Sequence, residues 1–411
     1  MRSAFPCARL LSNALVLLAY PAFAQERSGD TRKPVVITDS ARELHHSSLL
    51  IDGHNDLPWQ MRKEGSLSFE KLDISKSQPK LHTDIPRLRM GGVGAQFWSA
   101  YVEADTIDSK DAVRQTLEQI DVIHRMIRRY PETFALALSA DDILRIRKEG
   151  KIACMIGVEG GHSIDNSLAV LRAYYQLGVR YMTLTHSRSL DWADSATDEA
   201  KSDGLSPFGR DVVREMNRLG MLVDISHVSV ATMRDAIETS TAPVFASHSS
   251  AHAIAQHPRN IPDEILLEMK AKGGVVMVNF FSGFIVPEGA RQMTEMFHAG
   301  RELKKRHRDP KEFEAAMAQW HKEHPYPAGT VHTLVDHIDH IVKTAGIDHV
   351  GLGSDFDGVT KLPGQLQDVS TYPVITQALL DRGYTPEGIR KVLGENLMSI
   401  LRKAEAIRGK L

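Results

Sequence analysis

The feature of this sequence that most limits its fold is a repeated alternation of short apolar runs with helix-like segments. The apolar runs cover residues 48–51, 91–98, 152–158, 179–185, 221–225, 243–246, 274–278 and 349–353. Strands that alternate with helices form parallel sheets, and eight such units close into a barrel. The sequence therefore predicts an α/β fold, a (β/α)8 barrel of the TIM type, with further helices at the C-terminal end over 370–403.

One long segment, residues 287–330, interrupts this alternation. It is charged and rich in methionine, and its pattern predicts exposed helices at 302–307 and 311–324. Because surface loops tolerate added length, we interpret it as a helical insertion on the barrel face. The remaining length fits one large barrel, so residues 41–411 are predicted to form a single domain.

The first 24 residues have the order of a secretory signal. Arg2 and Arg9 precede an apolar run at 10–20, and small residues follow it up to Ala24. The run is too short to span a membrane, and the alternative is a buried N-terminal helix. We predict a signal peptide over 1–24, cleavage after Ala24, a flexible lead-in over 25–40, and a periplasmic or secreted protein.

Composition excludes several classes of partner. The formal net charge is -2 and no basic stripe is present, which argues against nucleic acid and favours a small molecule. The polar C-terminal end, 402–411, lacks the hydrophobic tail that precedes a lipid anchor, so no membrane anchor is predicted. Of the two cysteines, Cys7 leaves with the signal and Cys154 lies in an apolar run, so an intramolecular disulfide is not expected.

Potential metal ligands and acid–base groups follow the apolar runs. They are His54, Asp56, Glu159, His186, His227, His248 and Asp355. In a barrel of this type the catalytic groups come from the C-terminal ends of different strands. A single histidine would more simply be a satisfied core or surface residue, but charged residues seldom end buried strands, so the repetition favours a site.

This set of side chains suits zinc or a similar divalent ion. One zinc ion needs only three protein ligands and a water, so the surplus favours two ions bridged by the two oxygens of Glu159. Two such ions would acidify a bridging water to hydroxide near neutral pH and polarise a carbonyl group. Asp355 could take the proton from that water and deliver it to the leaving amine.

A second potential metal pair is His337 and His340, three residues apart on a predicted helix at 331–344. Polar residues at this spacing more often form a solvated helix face. We therefore leave this pair out of the predicted site.

The residues around these side chains resemble the membrane (renal) dipeptidase family of zinc peptidases. The matching motifs are HNDLP at 54–58, GVEG at 157–160, LTHS at 184–187, DISH at 224–227, SHS at 247–249 and DFDG at 355–358. They occur in order along the predicted strands, from about Leu50 to about Leu401. The resemblance implies an amidohydrolase-like barrel with two zinc ions, in which His54 and Asp56 hold one ion, His227 and His248 hold the other, and Glu159 bridges them.

The resemblance also implies roles in substrate binding and catalysis. Asp355 matches the aspartate that handles the proton, and His186 matches the histidine that stabilises the tetrahedral oxyanion; both would contact the substrate. Arg259, in the stretch at 257–262, matches the arginine that receives the terminal carboxylate of the substrate. A guanidinium offers two parallel donors to a carboxylate, although without the resemblance a surface arginine would be the simpler interpretation.

Three departures from the family concern substrate preference and assembly. Phe284 stands where mammalian members carry a tyrosine, and Ser189 where an asparagine is common. The mammalian enzymes are lipid-anchored and disulfide-linked, whereas this chain shows neither signal and carries the insertion at 287–330. The chain therefore resembles a bacterial-type secreted member.

The leading hypothesis is a zinc-dependent dipeptidase that hydrolyses Xaa-Yaa substrates. The family tolerates a D-residue at the C-terminal position, so Xaa-D-Yaa dipeptides are included. One alternative is a related metal-dependent amidase that acts on N-acyl amino acids or lactams, and another is a zinc-binding protein that has lost catalysis. By analogy and base rate, a homodimer is expected.

Overall fold

The computed structural model describes residues 30–307 and 309–409. Each of the eight predicted apolar runs contains or adjoins a strand, and a ninth strand, β3, was not predicted. The predicted signal peptide and the first part of the lead-in lie outside the described residues. The strands are β1 Leu50–Asn55, β2 Val93–Tyr101, β3 Phe134–Leu136, β4 Ile152–Glu159, β5 Val179–Thr183, β6 Leu222–Asp224, β7 Phe245–Ala246, β8 Val275–Val278 and β9 Val350–Leu352.

All nine strands are parallel and belong to one sheet, with the order β2-β1-β9-β8-β7-β6-β5-β4-β3. β2 also pairs with β4, from Ala95 opposite Ala153 to Tyr101 opposite Glu159, and this contact closes an eight-stranded barrel. The prediction of a (β/α)8 barrel is therefore confirmed. Parallel strands in a closed barrel end at the same rim, which brings residues distant in sequence together.

The unpredicted strand β3 lies outside the closed barrel. It pairs with residues 152–154 at the start of β4, while β5 pairs with the same strand from Ile156 onward. β3 has only three residues and follows the exposed end of a long helix. Such a short segment carries too little periodicity to be recognised in the sequence.

Helices cover the outside of the barrel. In chain order they are α1 Asp39–Ser47, α2 Leu57–Lys63, α3 Ile85–Met90, α4 Thr106–Ser109, α5 Ala112–Arg129, α6 Ala140–Lys148, α7 Leu168–Gln176, α8 Pro207–Leu219, α9 Val230–Thr239, α10 Asp263–Lys272, α11 Ser282–Ile285, α12 Pro287–Arg306, α13 Pro310–Glu323, α14 Val331–Thr344, α15 Tyr372–Asp381, α16 Pro386–Arg390 and α17 Asn396–Ile407. Their ends follow sequence signals. The hydroxyl of Ser206 accepts a hydrogen bond from the N–H of Gly209 at the start of α8, and Gly220 ends this helix with a φ of 77°.

The insertion at 287–330 contains two helices, and the first begins earlier than predicted. α12 starts at Pro287 rather than at residue 302, because proline is well suited to the first helical turn. Two polar contacts attach α12 to loops at the barrel rim. The Nζ of Lys304 lies 3.0 Å from Oδ2 of Asp105, and Arg301 donates to the carbonyl of Thr197 over 3.0 Å.

The barrel interior is filled by large side chains. Phe97, Tyr181, Phe245 and Met277 are fully buried there, so the barrel is a packed core rather than a channel. Within the described residues the free thiol of Cys154 is buried in the apolar core. In the same part of the chain, no helix combines the length and apolar character required to cross a membrane.

Candidate metal centre

The predicted site residues meet at the rim formed by the C-terminal ends of the strands. His54 is in β1 and Glu159 is the last residue of β4. The other predicted residues lie in the loops that follow the strands: Asp56, His186, His227, His248, Arg259 and Asp355. Most of them line one cavity of about 330 Å³, which is open to solvent on one side.

Glu159 lies at the centre of this group, and its two oxygens face different partners. Oε2 lies 3.5 Å from Nε2 of His54, which is itself 3.2 Å from Oδ2 of Asp56. Oε1 lies 3.0 Å from Nε2 of His227 and 3.4 Å from Nε2 of His248. Glu159 therefore stands between two ligand pairs, each able to complete a separate metal site.

Local backbone geometry turns these side chains toward one another. His227 has a φ of 67° and Asp355 a φ of 63°, values that residues other than glycine adopt infrequently. Such strained backbone is found at functional sites, where the surrounding structure holds it in place. The N–H of Asp355 is held in this way by the carbonyl of His54, over 3.1 Å.

Some polar atoms of this group are not satisfied by the others. Nε2 of His54 and Oδ1 of Asp56 are buried and have no hydrogen-bond partner. Nε2 of His227 and Nε2 of His248 approach to 2.8 Å, a contact that is a hydrogen bond only when one of the two nitrogens carries a hydrogen. Buried polar atoms normally have partners, and lone pairs that converge on one place are the arrangement that binds a metal ion. The residues present therefore fit a metal centre.

The electrostatics of the group also call for a cation. Burial lowers the pKa of His54, but Tyr181, Glu159 and Asp56 outweigh that effect and raise the pKa well above its ordinary value of 6.5. Burial holds the pKa of His227 and of His248 well below that value, so both rings stay neutral and each keeps one nitrogen with a lone pair. Carboxylates with neutral imidazoles are a donor set for a divalent ion such as zinc.

Asp355 lies beside this group and is held by an amide. The side-chain NH2 of Asn279 donates to Oδ2 of Asp355 over 2.8 Å, and its carbonyl oxygen accepts the N–H of Phe281 over 2.6 Å. The second bond fixes which end of the amide faces Asp355. Burial raises the pKa of Asp355 well above its ordinary value, and Asp56 and Glu159 add to the increase. A carboxyl group in this environment can hold and release a proton.

Arg259 lines the same cavity and is 2% exposed. Its NH1 and NH2 groups make only long contacts, 3.4 Å to the hydroxyl of Ser249 and 3.3 Å to the carbonyl of His248. Its buried Nε has no partner. Burial lowers the pKa of Arg259 to about 10, so the group stays charged at neutral pH and can receive an anion.

His186 lies at the edge of the group, with Nε2 3.8 Å from Oε1 of Glu159. Its ring packs against those of Tyr101 and His227, with centroid distances of 4.8 Å and 4.3 Å. Burial lowers its pKa, and its Nδ1 has no hydrogen-bond partner. A neutral imidazole at this distance has a nitrogen free to contact a bound substrate.

Apart from Phe284, the sequence did not reveal the aromatic lining of the cavity. Its walls include Trp59, Tyr101, Phe281, Phe284 and Phe297. Phe297 belongs to α12 in the insertion, so this segment contributes to the cavity. Aromatic residues in a sequence are most simply assigned to the core, and only the fold could place these at the mouth of the barrel.

The pair His337 and His340 does not form a metal site. Nδ1 of His337 accepts the N–H of Ala251, and Nε2 donates to the carbonyl of Ile285, so both nitrogens are used. His340 pairs with Asp263 over 2.7 Å. The omission of this pair from the predicted site agrees with its structural roles.

Known proteins similar to this chain point the same way. An uncharacterised dipeptidase of Schizosaccharomyces pombe is 41% identical over 369 residues, which is 87% of this chain and 81% of that protein. Dipeptidase 3 of Mus musculus is 40% identical over 379 residues, which is 91% of this chain and 68% of that protein.

The fold is similar to that of a solved metallopeptidase from Rhodobacter sphaeroides, liganded with a phosphinate mimic of the dipeptide L-Ala-D-Ala. The TM-score is 0.72 at 24% identity, with 87% of this chain and 99% of that one covered. The model of the membrane dipeptidase family, peptidase family M19, matches residues 38–411. The chain therefore belongs to the membrane dipeptidase family and is a metallo-dipeptidase.

Proposed function

We propose that this protein hydrolyses Xaa-Yaa dipeptides, including Xaa-D-Yaa, with two zinc ions. The observation that carries the proposal is the position of Glu159, whose two oxygens face two separate ligand pairs. His54 and Asp56 would hold one ion, and His227 and His248 the other. Zinc ions bound there would lower the pKa of a shared water enough to give hydroxide near neutral pH, and would polarise the scissile carbonyl.

The protein's own residues would bind and orient the dipeptide. The guanidinium of Arg259 is charged and makes only long hydrogen bonds within the protein, so it would donate hydrogen bonds to the terminal carboxylate of the substrate. This contact fixes one end of the substrate relative to the zinc ligands. The aromatic walls that surround the cavity would exclude water and contact the substrate side chains.

Two further residues would act on the reacting atoms. Asp355 would take a proton from the attacking water and deliver it to the leaving amine, a task suited to its raised pKa. Nε2 of His186 would donate a hydrogen bond to the oxyanion that develops on the scissile carbonyl. Its neutral ring, whose Nδ1 has no hydrogen-bond partner, and its place beside Glu159 support this role.

Acceptance of a D-residue at the C-terminal position is supported by a similar fold rather than by close sequence. The metallopeptidase of R. sphaeroides is liganded with a mimic of L-Ala-D-Ala. A cavity about 330 Å³ in volume, with Arg259 among its lining residues, has the volume for a dipeptide.

Metal analysis paired with hydrolysis assays tests the proposal. Elemental analysis should give about two zinc ions per chain, and release of amino acid from Gly-D-Ala and Gly-L-Ala should stop on chelation and return with zinc. N-acetyl-Gly-D-Ala should be a poor substrate. One ion or none, with turnover unaffected by chelation, would contradict the two-zinc mechanism, and a preference for the acetylated substrate would indicate an amidase.

Export and assembly are separate proposals. The pattern of residues 1–24 supports a cleaved signal and a periplasmic or secreted protein, and N-terminal sequencing of protein recovered outside the cytoplasm should start at Gln25. A homodimer is proposed from the base rate among soluble oligomers. Light scattering of the purified protein would give a mass of two chains or contradict it.

A further inference from the structure

A buried series of polar groups leads from His248 into the barrel. Nδ1 of His248 lies 2.7 Å from the hydroxyl oxygen of Ser247, and that hydroxyl donates to Oδ2 of Asp224 over 2.6 Å. Each of the three residues is at most 1% exposed. None of these contacts involves the cavity, so these groups lie on the side of His248 that faces the barrel interior.

The hydrogen bonds to Asp224 fix the direction of this series. The carboxylate accepts the backbone N–H groups of Ser226 and Ser247 at Oδ1, both over 2.9 Å. At Oδ2 it accepts the hydroxyls of Thr183 and Ser247, over 2.5 Å and 2.6 Å. An ionised carboxylate only accepts hydrogen bonds, so the single hydroxyl hydrogen of Ser247 is used by Asp224.

Ser247 therefore has only lone pairs to offer His248. A contact of 2.7 Å between Nδ1 and this oxygen requires the hydrogen to be on Nδ1. In the neutral ring, Nε2 then carries a lone pair, and Nε2 is the nitrogen that faces Glu159 at 3.4 Å. The hydroxyl of Ser226, 3.4 Å from that of Ser247, is a more distant and uncharged alternative acceptor that would leave the same tautomer.

The backbone holds Ser247 closely at this place. A Cβ atom on Gly53 would lie 2.7 Å from the carbonyl oxygen of Ser247, and one on Gly353 would lie 1.9 Å from it. Only glycine at these two positions, one in β1 and one just after β9, lets the chain of Ser247 approach so closely. The backbone of Ser247, which carries the hydroxyl, is thus held by close packing against these two glycines.

We propose that Asp224 and Ser247 are positioning residues that hold His248 in the tautomer whose Nε2 binds a metal ion. The proposal rests on the assignment of His248 as a ligand under the proposed function. The metal centre then includes a hydrogen-bonded series of carboxylate, hydroxyl and imidazole, in which Ser247 connects Asp224 to the ring of His248. Partners of this kind typically change metal affinity by about 10- to 100-fold when they are lost.

Ser247→Ala and Thr183→Val form a matched pair for testing this role. Each removes one hydroxyl donor from the same oxygen of Asp224, but only Ser247 contacts His248. Zinc affinity is measured on the full chain by competition with a chelator, and stoichiometry by elemental analysis. Ser247→Ala should lower the affinity for one of the two zinc ions by about 10- to 100-fold. Thr183→Val should keep a zinc affinity within about threefold of that of the parent protein.

Asp224→Asn provides a second test that does not remove a hydrogen-bonding group. The amide oxygen can accept the two backbone N–H groups, and its NH2 would then donate to Ser247 and release the serine hydrogen toward Nδ1. His248 would carry its hydrogen on Nε2, and the affinity should fall as in Ser247→Ala, with the thermal melt of the metal-free protein showing a folded chain.

Parent-like zinc affinity in folded Ser247→Ala or Asp224→Asn would overturn the proposal, as would an equal loss in Thr183→Val. If the parent protein itself binds fewer than two ions, the two-zinc mechanism fails instead.

Discussion

Two groups of buried histidines in this molecule differ in how their ring nitrogens are used. His45 and His337, in the helical layer, have both nitrogens in hydrogen bonds, with partners such as Thr376 and the carbonyl of Ile285. At the barrel rim, Nε2 of His54 has no hydrogen-bond partner, and Nε2 of His227 and His248 face each other. Burial alone therefore does not identify a metal ligand, whereas unmet hydrogen-bonding capacity directed at a common point does.

Replacement of Glu159, the carboxylate proposed to be shared by both ions, should have the largest effect on metal binding at the rim. Glu159→Gln leaves one oxygen and introduces an NH2 group that cannot bind a metal ion. We expect zinc content to fall from about two ions to one or fewer, and kcat/KM to fall by more than about 100-fold, beyond the loss typical of an outer partner. Elemental analysis and dipeptide hydrolysis measure both. Retention of two ions would remove Glu159 from the bridging role.

Asp355 separates proton transfer from metal binding. Asp355→Asn keeps the size of the side chain and removes its acid–base function, so kcat should fall by about 10²- to 10⁴-fold. Zinc content and KM should change little, because other side chains would hold the ions. A loss of zinc comparable with that in Glu159→Gln would instead make Asp355 a metal ligand.

Arg259 tests how the cavity receives its substrate. Arg259→Lys keeps a positive charge but loses the paired donors, and we expect KM to rise by about 10- to 100-fold, with a smaller change in kcat. The control is a dipeptide amide, which lacks the terminal carboxylate. The parent and the variant should hydrolyse this compound at similar, low rates. A large difference with the amide would show that Arg259 acts on something other than the carboxylate.

In the helical layer, the buried His45 should make the free energy of unfolding depend on pH rather than on metal binding. Burial lowers the pKa of His45 to about 4, from an ordinary value of 6.5. The unfolded chain then binds the extra proton first, so the free energy of unfolding should fall as pH drops from 6.5 toward 4 and stay level above 6.5. At about 1.4 kcal/mol per pH unit, His45 contributes at most about 3.5 kcal/mol to this loss.

Denaturant unfolding of the metal-free protein measures this effect. His45→Gln removes the titrating ring and should reduce the slope of unfolding free energy between pH 4 and 6.5, while dipeptide turnover at pH 7 changes little. An unchanged slope would mean that His45 is protonated in the folded state.

Much of the fold and the positions of the site residues could be predicted because both follow from the strands. The apolar runs mark the strands, and the closed barrel brings their ends to one rim, so residues as distant as His54 and Asp355 were expected to meet. The groups behind them could not be predicted in this way. Ser247 and Asn279 are ordinary polar residues in the sequence, and their roles depend on which side chains the barrel brings within hydrogen-bond distance.

Segments with weak periodicity were also missed or misplaced. β3 is too short to show a pattern, and the sequence predicted only the last part of α12, from residue 302, as a helix. The contribution of Phe297 to the cavity follows from that helix and therefore escaped the sequence as well.

The proposed metal ligands lie on strands or strand-end loops around the barrel: β1, β4 and the loops after β6 and β7. Two metal ions joined through Glu159 would cross-link segments from residue 54 to residue 248, in a molecule whose described residues contain a free cysteine and no disulfide. Bound metal would thus act as a reversible cross-link between the strand ends at the barrel rim. Binding only to the folded chain, it would favour the closed barrel by mass action and slow the opening that a protease needs.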